Sequence, residues 1–289
     1  MREKLMREIV EQCKKTMEGW TVTSRIFTKN NQVELHGIII KRNGVSLSRI
    51  VYLERLEEVL GDSFGAEEAC AYIQEQALDY PEFTIPQNLY TEWDYVKESI
   101  RKKLVNYAQN EERLKGILHR KYLDLAEVCY WIMDTPEGKG TVEIPAVMPM
   151  GMWGVTEEEV FEMANKHMAL EGYQMETMES LLCGYEVPCL NGIEPLYIVH
   201  NSAWEFGAAI LTRPDMIKEL LNGKDGNYYI FPCSTQEIIL KKDDGLEPVE
   251  QLRDLVREVN DTCVERSIFL SDNVYYYDAK TESISLCEE

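Results

Sequence analysis

The sequence contains few of the residues that usually reveal a chemical activity. Its four histidines stand at positions 36, 119, 167 and 200, with no His-x3-His or His-Glu-x-x-His spacing, and its eight cysteines form no Cys-x-x-Cys pair. A structural zinc site needs ligands in pairs about two to five residues apart. The Gly-Lys of PEGKGT lacks the earlier glycine of a phosphate-binding loop. We therefore predict no metal site and no cofactor.

Long apolar runs are also missing. No stretch approaches the ~18–20 apolar residues that a membrane-spanning helix needs. The first residues, MREKLMREIVEQC, are charged at helical spacing, unlike a secretion signal. The scattered cysteines are then expected to be reduced thiols, and the sequence predicts a cytoplasmic protein without membrane contact.

Basic residues are scarce, because 30 Lys and Arg stand against 51 Asp and Glu, for a formal net charge of −21. Direct nucleic-acid binding depends on Lys and Arg contacts with phosphates, so we do not expect it. Residues 97–121 depart from this trend with eight basic and three acidic residues. The eight are Lys97, Arg101, Lys102, Lys103, Arg113, Lys115, Arg120 and Lys121. They form either a solvated face that balances neighbouring acids or a docking patch for an anionic partner.

What is present indicates a folded α+β protein. Residues 1–17 carry apolar side chains at every fourth position, which predicts an amphipathic helix. Three β-type segments follow at 20–27, 33–41 and 45–53, and Asn43-Gly44 between the last two is a strong hairpin signal. Helices are predicted at 53–61 and 66–78. This part is thus a helix, a three-stranded meander and a helix pair.

The two prolines of DYPEFTIPQ, residues 79–87, mark a linker or connecting loop. They divide the chain into an N-terminal lobe, residues 1–85, and a larger C-terminal lobe, residues 90–289. Beyond the linker, residues 92–108 have an apolar stripe at helical spacing, which predicts a helix. A strand is predicted at 122–134, and Thr156 with Glu159 has the capping-box pattern of a helix start.

A strand–strand–helix pattern then appears twice. The first copy spans 195–221, with FGAAIL as its second strand, and the second spans 227–260, with PCSTQ as the hairpin break. A last hairpin is predicted at 274–286. Repeated units of this kind predict antiparallel sheets with helices packed on one face.

The break PCSTQ is the one place where the residues suggest a nucleophile. Cys233 or Ser234 would need His200 within hydrogen-bond reach as a base, and Asn201 or Glu237 would orient that base. His200 ends one predicted strand and Cys233 follows another, so both are expected at one sheet edge. Small polar residues after a proline are also usual in a hairpin turn, and that alternative stays open.

Sixteen tyrosines and five tryptophans, several in runs such as YYIF and VYYYD, raise a second possibility. They are either buried under a layer of helices or form an exposed aromatic sheet face. An exposed aromatic face would suit recognition of a protein partner.

Several segments resemble a domain family of Gram-positive anaerobes, many from the gut, that has no assigned activity. The similar segments are WGVTEEEVFEMANKHM, LYIVHNSAWEFGAAILTRPDMIKEL, YYIFPCSTQEIILKKDDG and LRDLVREVN. The N-terminal helix and the VELHGIIIKRNG hairpin fit the same family. The chain departs from it at Cys233, where the family carries Ser, and at Gln236, where it often carries His. The resemblance implies a cytoplasmic bacterial protein.

Three functional hypotheses follow. The first is a non-catalytic protein that binds or regulates another protein. The second is a hydrolase that uses residues 200–201 and 232–237. The third is an acidic mimic of DNA, which predicts carboxylates in phosphate-like rows on one face.

Overall fold

The computed structural model describes residues 2–45, 48–61, 63–78, 88–135, 138–183 and 195–287. The chain divides into two compact units, Met1–Leu89 with Asp134–Lys139 and Tyr90–Met133 with Gly140–Glu289. The fold is α+β, and its described sheets are antiparallel, which confirms the predicted class. The predicted linker, residues 79–87, lies outside the described residues, and the two predicted lobes stay a prediction.

The first unit begins with a helix and a three-stranded sheet, as the sequence predicts. Its elements are α1 (Arg2–Thr16), β1 (Trp20–Thr28), β2 (Glu34–Arg42), β3 (Arg49–Tyr52), α2 (Leu53–Leu60) and α3 (Ala66–Leu78). The strands lie in the order β1-β2-β3. All three helices pack on one face of this sheet, where Ile9, Ile38, Leu56 and Ile73 join one apolar core.

A four-stranded sheet follows in the chain. Its elements and neighbours are α4 (Asn88–Thr91), α5 (Trp93–Val96), β4 (Ile100–Asn106), α6 (Tyr107–Leu114), β5 (His119–Tyr122), β6 (Leu125–Thr135), β7 (Gly138–Glu143) and α7 (Glu157–Met168). The strand order is β4-β6-β5, and β7 also pairs with β6. Thr156 and Glu159 form the predicted capping box of α7.

A six-stranded sheet completes the second unit. Its elements are β8 (Gln174–Thr177), α8 (Met178–Cys183), β9 (Tyr197–His200), α9 (Pro214–Leu221), β10 (Tyr228–Phe231), β11 (Glu237–Lys242), α10 (Val249–Cys263), β12 (Tyr275–Asp278) and β13 (Ser283–Leu286). The strand order is β13-β12-β10-β11-β9-β8. The predicted β10–β11 and β12–β13 hairpins are confirmed.

The helices cover both faces of this six-stranded sheet, which differs from the one-faced packing expected from the sequence. Tyr228 and Ile230 pack with Ile217 of α9. Phe231, which points to the other face, packs with Leu252 of α10. Apolar side chains at consecutive strand positions give the sheet two faces to bury.

The continuous helix predicted at 92–108 is wrong, because α5 and a short 3-10 helix at Lys97–Ser99 are followed by strand β4 at Ile100–Asn106. Ile100, Lys102 and Leu104 are buried at every second position, which is the period of a strand. Ile100 and Leu104 are four residues apart, and that spacing places two side chains on one face of a helix or of a strand alike. The stripe therefore could not distinguish the two structures.

The strand predicted for FGAAIL is also wrong, because Gly207–Thr212 is a 3-10 helix. The partner of β9 is β11, with His200 opposite Glu237, so no adjacent hairpin strand is needed. Gly207 lies flush against the chain that enters β11, and a Cβ atom there would sit 2.3 Å from the carbonyl oxygen of Gln236.

Candidate functional sites

The ends of β9 and β11 bring some of the predicted nucleophile residues together. His200 and Glu237 are direct cross-strand neighbours, while Cys233 and Ser234 lie in the connection between β10 and β11. The sequence-based expectation that these residues share one region of the sheet agrees with this register. Their individual contacts determine what chemistry the region can perform.

The side chain of Cys233 packs into the apolar core beneath α10. It contacts a cluster that contains Phe231, Leu252 and Val274, and the residue is only 5% exposed. Burial, reinforced by the nearby Glu237 and Asp272 carboxylates, raises the pKa of the Cys233 thiol to about 12. Because the thiolate is the nucleophilic form, a thiol that stays protonated at neutral pH is a poor nucleophile.

Ser234 and Glu237 bond to each other across the turn. The Ser234 hydroxyl donates to Glu237 Oε1 at 2.8 Å and accepts from the backbone N–H of Gln236 at 2.9 Å. Burial raises the pKa of the Glu237 carboxyl, and the Ser234 hydrogen bond offsets part of that effect. Both contacts are of the kind that small polar residues make to shape a turn.

His200 is buried, but its contacts lead away from Cys233 and Ser234. Its Nδ1 lies 2.9 Å from the carbonyl oxygen of Asn201, and a carbonyl can only accept, so Nδ1 carries a hydrogen. Its Nε2 lies 3.7 Å from Glu176 Oε1, and its ring stacks on Trp204 at 3.6 Å. Across the described ranges, no hydrogen bond joins the His200 ring to Cys233 or Ser234.

Asn201 closes the loop that follows β9. Its side chain donates to the Glu205 carbonyl at 2.7 Å and accepts from the Glu205 N–H at 3.1 Å. Trp204 and Phe206 in this loop adopt left-handed backbone angles, with φ of 54° and 57°. Residues other than glycine rarely adopt such backbone angles. The Asn201 side chain therefore helps to hold a strained loop. It does not orient the His200 ring.

The basic segment at 97–121 is largely neutralised by neighbouring carboxylates. Seven of its eight cations form ion pairs, namely Lys97–Asp94, Arg101–Glu171, Lys102–Glu127, Lys103–Glu143, Arg113–Glu143, Lys115–Glu112 and Arg120–Glu158. The eighth, Lys121, lies over the ring of Tyr107. The arrangement agrees with the first of the two interpretations, a set of cations that balances neighbouring acids, and the docking role stays a prediction.

Lys102 lies inside the second unit. Its ammonium donates to Glu127, to Asn165 of α7 and to the Thr212 hydroxyl, the last at 2.6 Å. Burial lowers the pKa of Lys102, although the Glu127 carboxylate acts in the opposite direction. A buried cation with three acceptors joins β4, β6, α7 and the 3-10 helix at one point.

A third surface, the outward face of β1–β3, was not among the sequence-based candidates. We call it the outer sheet face and define it by Arg25, Phe27, Leu35, Ile39, Lys41, Ile50 and Tyr52, with Lys29 at its edge. The strand register places Phe27 opposite Leu35, and Ile39 opposite Ile50. These side chains are absent from the helix-covered core, and Ile50 is 36% exposed. The first unit therefore presents apolar and aromatic groups on the face opposite its helices.

The cations on the outer sheet face stand over aromatic rings. Arg25 and Lys29 lie 5.7 and 5.6 Å from the centre of the Phe27 ring, and Lys29 lies 5.4 Å from that of Tyr52. Among the described residues, no carboxylate forms an ion pair with Arg25, Lys29 or Lys41. Their charge is therefore available to a partner, in contrast to the charge of segment 97–121.

Gly37 shapes the centre of this face. A Cβ atom at Gly37 would lie 2.6 Å from Phe27 Cε2 and 2.8 Å from Ile50 Cγ2, so the glycine lets both side chains lie close to the strand. One feature of the sequence could have predicted this exposed apolar face. It is the run of three isoleucines at 38–40, in a strand that helices cover on only one side. Such a run places an isoleucine on the uncovered face. The aromatic runs YYIF and VYYYD do not form such an exposed face, because Tyr228, Tyr275 and Tyr277 are buried.

Metal sites and membrane-spanning helices are two further features that bear on function. In the described ranges, no group of three or more His, Cys, Asp or Glu side chains lies close enough to hold a metal ion. No helix in this part of the chain is both long and apolar enough to cross a membrane.

Fold and surfaces together define an α+β protein with antiparallel sheets and an apolar, cationic sheet face. Residues 2–279 match the model of a family of unknown function, DUF5688, so the chain belongs to that family. This confirms the expected membership of a family without an assigned activity. No curated protein and no solved structure matches the chain.

Proposed function

We propose that this protein is a cytoplasmic, non-catalytic binding or regulatory protein that recognises another protein through the outer sheet face. The observation that carries the proposal is the combination of half-buried Phe27 and Tyr52 and exposed Ile50 with cations that have no carboxylate partner among the described residues. Interfaces are enriched in aromatic residues and arginine at their centres. A cytoplasmic location fits the free thiols of Cys13, Cys70, Cys129, Cys233, Cys263 and Cys287.

The partner surface is expected to be acidic around an apolar centre. Arg25, Lys29 and Lys41 lie on strands β1 and β2 or at their edge, around Phe27, Leu35 and Ile39. Complementary charge speeds encounter and fixes the orientation of a complex, while the apolar centre supplies the area removed from water. An acidic partner is recognised here even though the whole chain carries −21, because these three cations are not neutralised locally.

The size of the face predicts a weak complex. Three strands of nine residues or fewer cover on the order of 400 Å². A standard interface buries about 800 Å² on each partner. A partner that covers only this face therefore binds transiently, and its capture requires a cross-linker.

Single-stranded nucleic acid also binds to aromatic and cationic sheet faces, but the geometry favours protein. Bases stack on free aromatic faces, whereas Arg25 and Lys29 are positioned over the Phe27 ring. Gly37 also draws that ring close to the sheet. A strongly acidic chain would further repel phosphates.

The proposal is tested by photo-cross-linked capture from the native host, with mass spectrometry of the recovered proteins. The wild type is compared with the triple variant Arg25→Glu, Lys29→Glu, Lys41→Glu. We expect the main partner to be recovered about tenfold less with the variant, the loss that corresponds to 1.4 kcal/mol of binding free energy. Circular dichroism confirms that the variant is folded.

The matched control is the triple variant Lys97→Glu, Lys115→Glu, Arg120→Glu, which makes the same change in net charge within the neutralised segment. It is expected to recover the partner as the wild type does. Equal losses from both variants would show a non-specific charge effect and contradict the proposal. Recovery of RNA in place of a protein would contradict it as well.

The other two hypotheses remain predictions. A hydrolase would need a base beside Cys233 or Ser234, and the described hydrogen bonds of His200 do not supply one. DNA mimicry predicts carboxylates in phosphate-like rows on one face, and on α10 two of the acids are paired with arginines, Glu250 with Arg253 and Asp254 with Arg257. No specific observation on the described residues supports either hypothesis.

A further inference from the structure

The sheet of the first unit ends on one side in a long edge strand. Strand β1 has nine residues and, among the described strands, pairs only with β2. The opposite edge strand, β3, has four residues and leads directly into α2. The β1–β2 register is continuous from Trp20 to Thr28, so β1 has no bulge, and its sequence WTVTSRIFT has no proline. Short length, bulges and prolines keep sheet edges from pairing with other chains, and β1 has none of these three.

Hydrogen bonds at both ends of β1 show which of its backbone groups face away from β2. The Asn43 N–H donates to the Gly19 carbonyl at 2.9 Å, and the Lys29 N–H donates to the Val33 carbonyl at 2.7 Å. In an antiparallel pair, every second residue bonds to the neighbouring strand, so the odd-numbered residues of β1 bond to β2. The even-numbered residues direct their N–H and C=O groups outward. Those without a backbone hydrogen bond in the described part of the chain are Val22, Ser24, Ile26 and Thr28.

We propose that the outward edge of β1 binds an extended segment of the partner protein, which adds a fourth strand to this sheet. The inference rests on the proposed function and deepens it, because the edge borders the outer sheet face and specifies the conformation of the partner. The outward N–H and C=O groups recur at every second residue, and an extended backbone matches this spacing. Strand addition to an exposed sheet edge is a known mode of peptide recognition. It also adds main-chain hydrogen bonds to a face that is smaller than a standard interface.

The side chains of β1 indicate the composition of the added strand, whose residues alternate between the two faces of the sheet. On the outer sheet face they would lie beside Arg25, which has no carboxylate partner among the described residues. A carboxylate there would form a cross-strand pair with Arg25. On the other face they would lie beside Val22 and Ile26, which pack on the helix-covered core. The partner segment is therefore expected to alternate acidic and apolar residues.

A second copy of this chain is a poorer occupant of the edge. Its own β1 contains Arg25 and no acidic residue, so it cannot supply the carboxylate. Each copy also carries a formal net charge of −21, and like charges oppose association. The partner segment is therefore assigned to another protein.

The test titrates the full chain with the fluorescein-labelled peptide Val-Glu-Val-Glu-Val-Glu-Val-Glu, followed by fluorescence anisotropy. In the expected register the valines lie opposite the outward residues of β1, so the valine N–H groups point at the edge. The control peptide has the same sequence with N-methyl groups on its valines, which remove these donors and keep the charge. We expect the control peptide to bind about tenfold more weakly.

The matched protein variants change one outward N–H of β1. Ser24→Pro removes it and leaves the β1–β2 hydrogen bonds in place, since an edge strand tolerates proline where the N–H faces solvent. The Ser24 side chain is exposed, so the core is unchanged. We expect Ser24→Pro to bind the peptide about tenfold more weakly, while Ser24→Ala, which keeps the N–H, binds it as the wild type does. Circular dichroism confirms that both variants are folded.

Hydrogen exchange followed by NMR is a readout that side-chain contact alone does not change. In the free protein, the amides of Val22, Ser24 and Ile26 are expected to exchange rapidly, while those of Thr23 and Arg25 are protected by β2. At saturation the peptide should slow the exchange of the outward amides about tenfold. Equal binding of the two peptides, equal binding by Ser24→Pro and Ser24→Ala, or outward amides that are protected without peptide would overturn the inference.

Failure of this inference is distinguishable from failure of the proposed function. The triple variant Arg25→Glu, Lys29→Glu, Lys41→Glu tests the outer sheet face for a partner of any conformation. If this variant loses the captured partner while the peptide leaves the outward amides unprotected, the proposed function stands and strand addition is wrong. If the peptide protects these amides but the triple variant retains the partner, strand addition stands and the role of the outer sheet face is wrong.

Discussion

Segment 97–121 and the outer sheet face both concentrate positive charge in an acidic protein, but the fold treats them differently. The first has a local charge of +5 in the sequence, and seven of its eight cations are ion-paired in the structure. On the outer sheet face, Arg25 and Lys29 lie over aromatic rings and, with Lys41, have no carboxylate partner among the described residues. The density of charge along a sequence therefore does not identify the charge that a partner can reach.

The difference follows from where the acids lie. Strand β4 lies close to Glu127 of β6, Glu143 of β7 and Glu171 after α7, so folding brings carboxylates to its lysines and arginines. Strand β1 is an edge strand whose outward neighbours are Leu35, Gly37 and Ile39 of β2. In the folded protein the cations of β1 therefore lie beside aromatic rings and apolar side chains, and not beside carboxylates.

The largest effect is expected from Lys102, the most deeply buried cation of the basic segment. Lys102→Met would leave the Glu127 carboxylate without its buried partner. We expect the free energy of unfolding to fall by about 3–5 kcal/mol, as for other broken buried ion pairs. Urea denaturation followed by circular dichroism measures the change.

The control for Lys102 is Lys115→Met, which removes an exposed lysine from the same segment and should leave the denaturation midpoint nearly unchanged. If Lys102→Met and Lys115→Met behaved alike, Lys102 would not be a structural cation. The ion pairs of segment 97–121 would then not explain why its cations differ from those of the outer sheet face.

A smaller effect is expected at the centre of the outer sheet face. Gly37→Ala would push Phe27 and Ile50 outward, because the new methyl group overlaps both. We expect a loss of about 1 kcal/mol in the free energy of unfolding, together with weaker capture of the partner. Gly116→Ala, where the added methyl group meets nothing within 4 Å, should change neither. Unchanged capture by Gly37→Ala would show that the shape of this face is not recognised.

Local patterns predicted most of the fold. The α1 stripe, the Asn43-Gly44 turn and the capping box at Thr156 depend on neighbours a few residues away, and all three are confirmed. Strand β4 and the 3-10 helix at Gly207–Thr212 could not be predicted in the same way. Their conformations depend on distant contacts, such as those of Lys102 with Glu127 and of Gly207 with Gln236.

The candidate sites were harder to predict than the fold. The sequence led us to expect His200 and Cys233 at one sheet edge, but it did not predict that Glu237 is the cross-strand neighbour of His200. The direction of the His200 ring is set by the Asn201 carbonyl and by Trp204. The exposed cations of β1 could not be distinguished from the paired ones of β4, because ion pairing joins residues far apart in the chain.

We propose that the partner contacts the outer sheet face and leaves segment 97–121 free. Lysine acetylation of the photo-cross-linked complex, read by mass spectrometry, tests it most directly. We expect labelling of Lys29 and Lys41 to fall in the complex relative to the free protein, while labelling of Lys97 and Lys115 stays unchanged. Protection of Lys97 and Lys115 with full labelling of Lys29 and Lys41 would show that the partner binds segment 97–121 and not the outer sheet face.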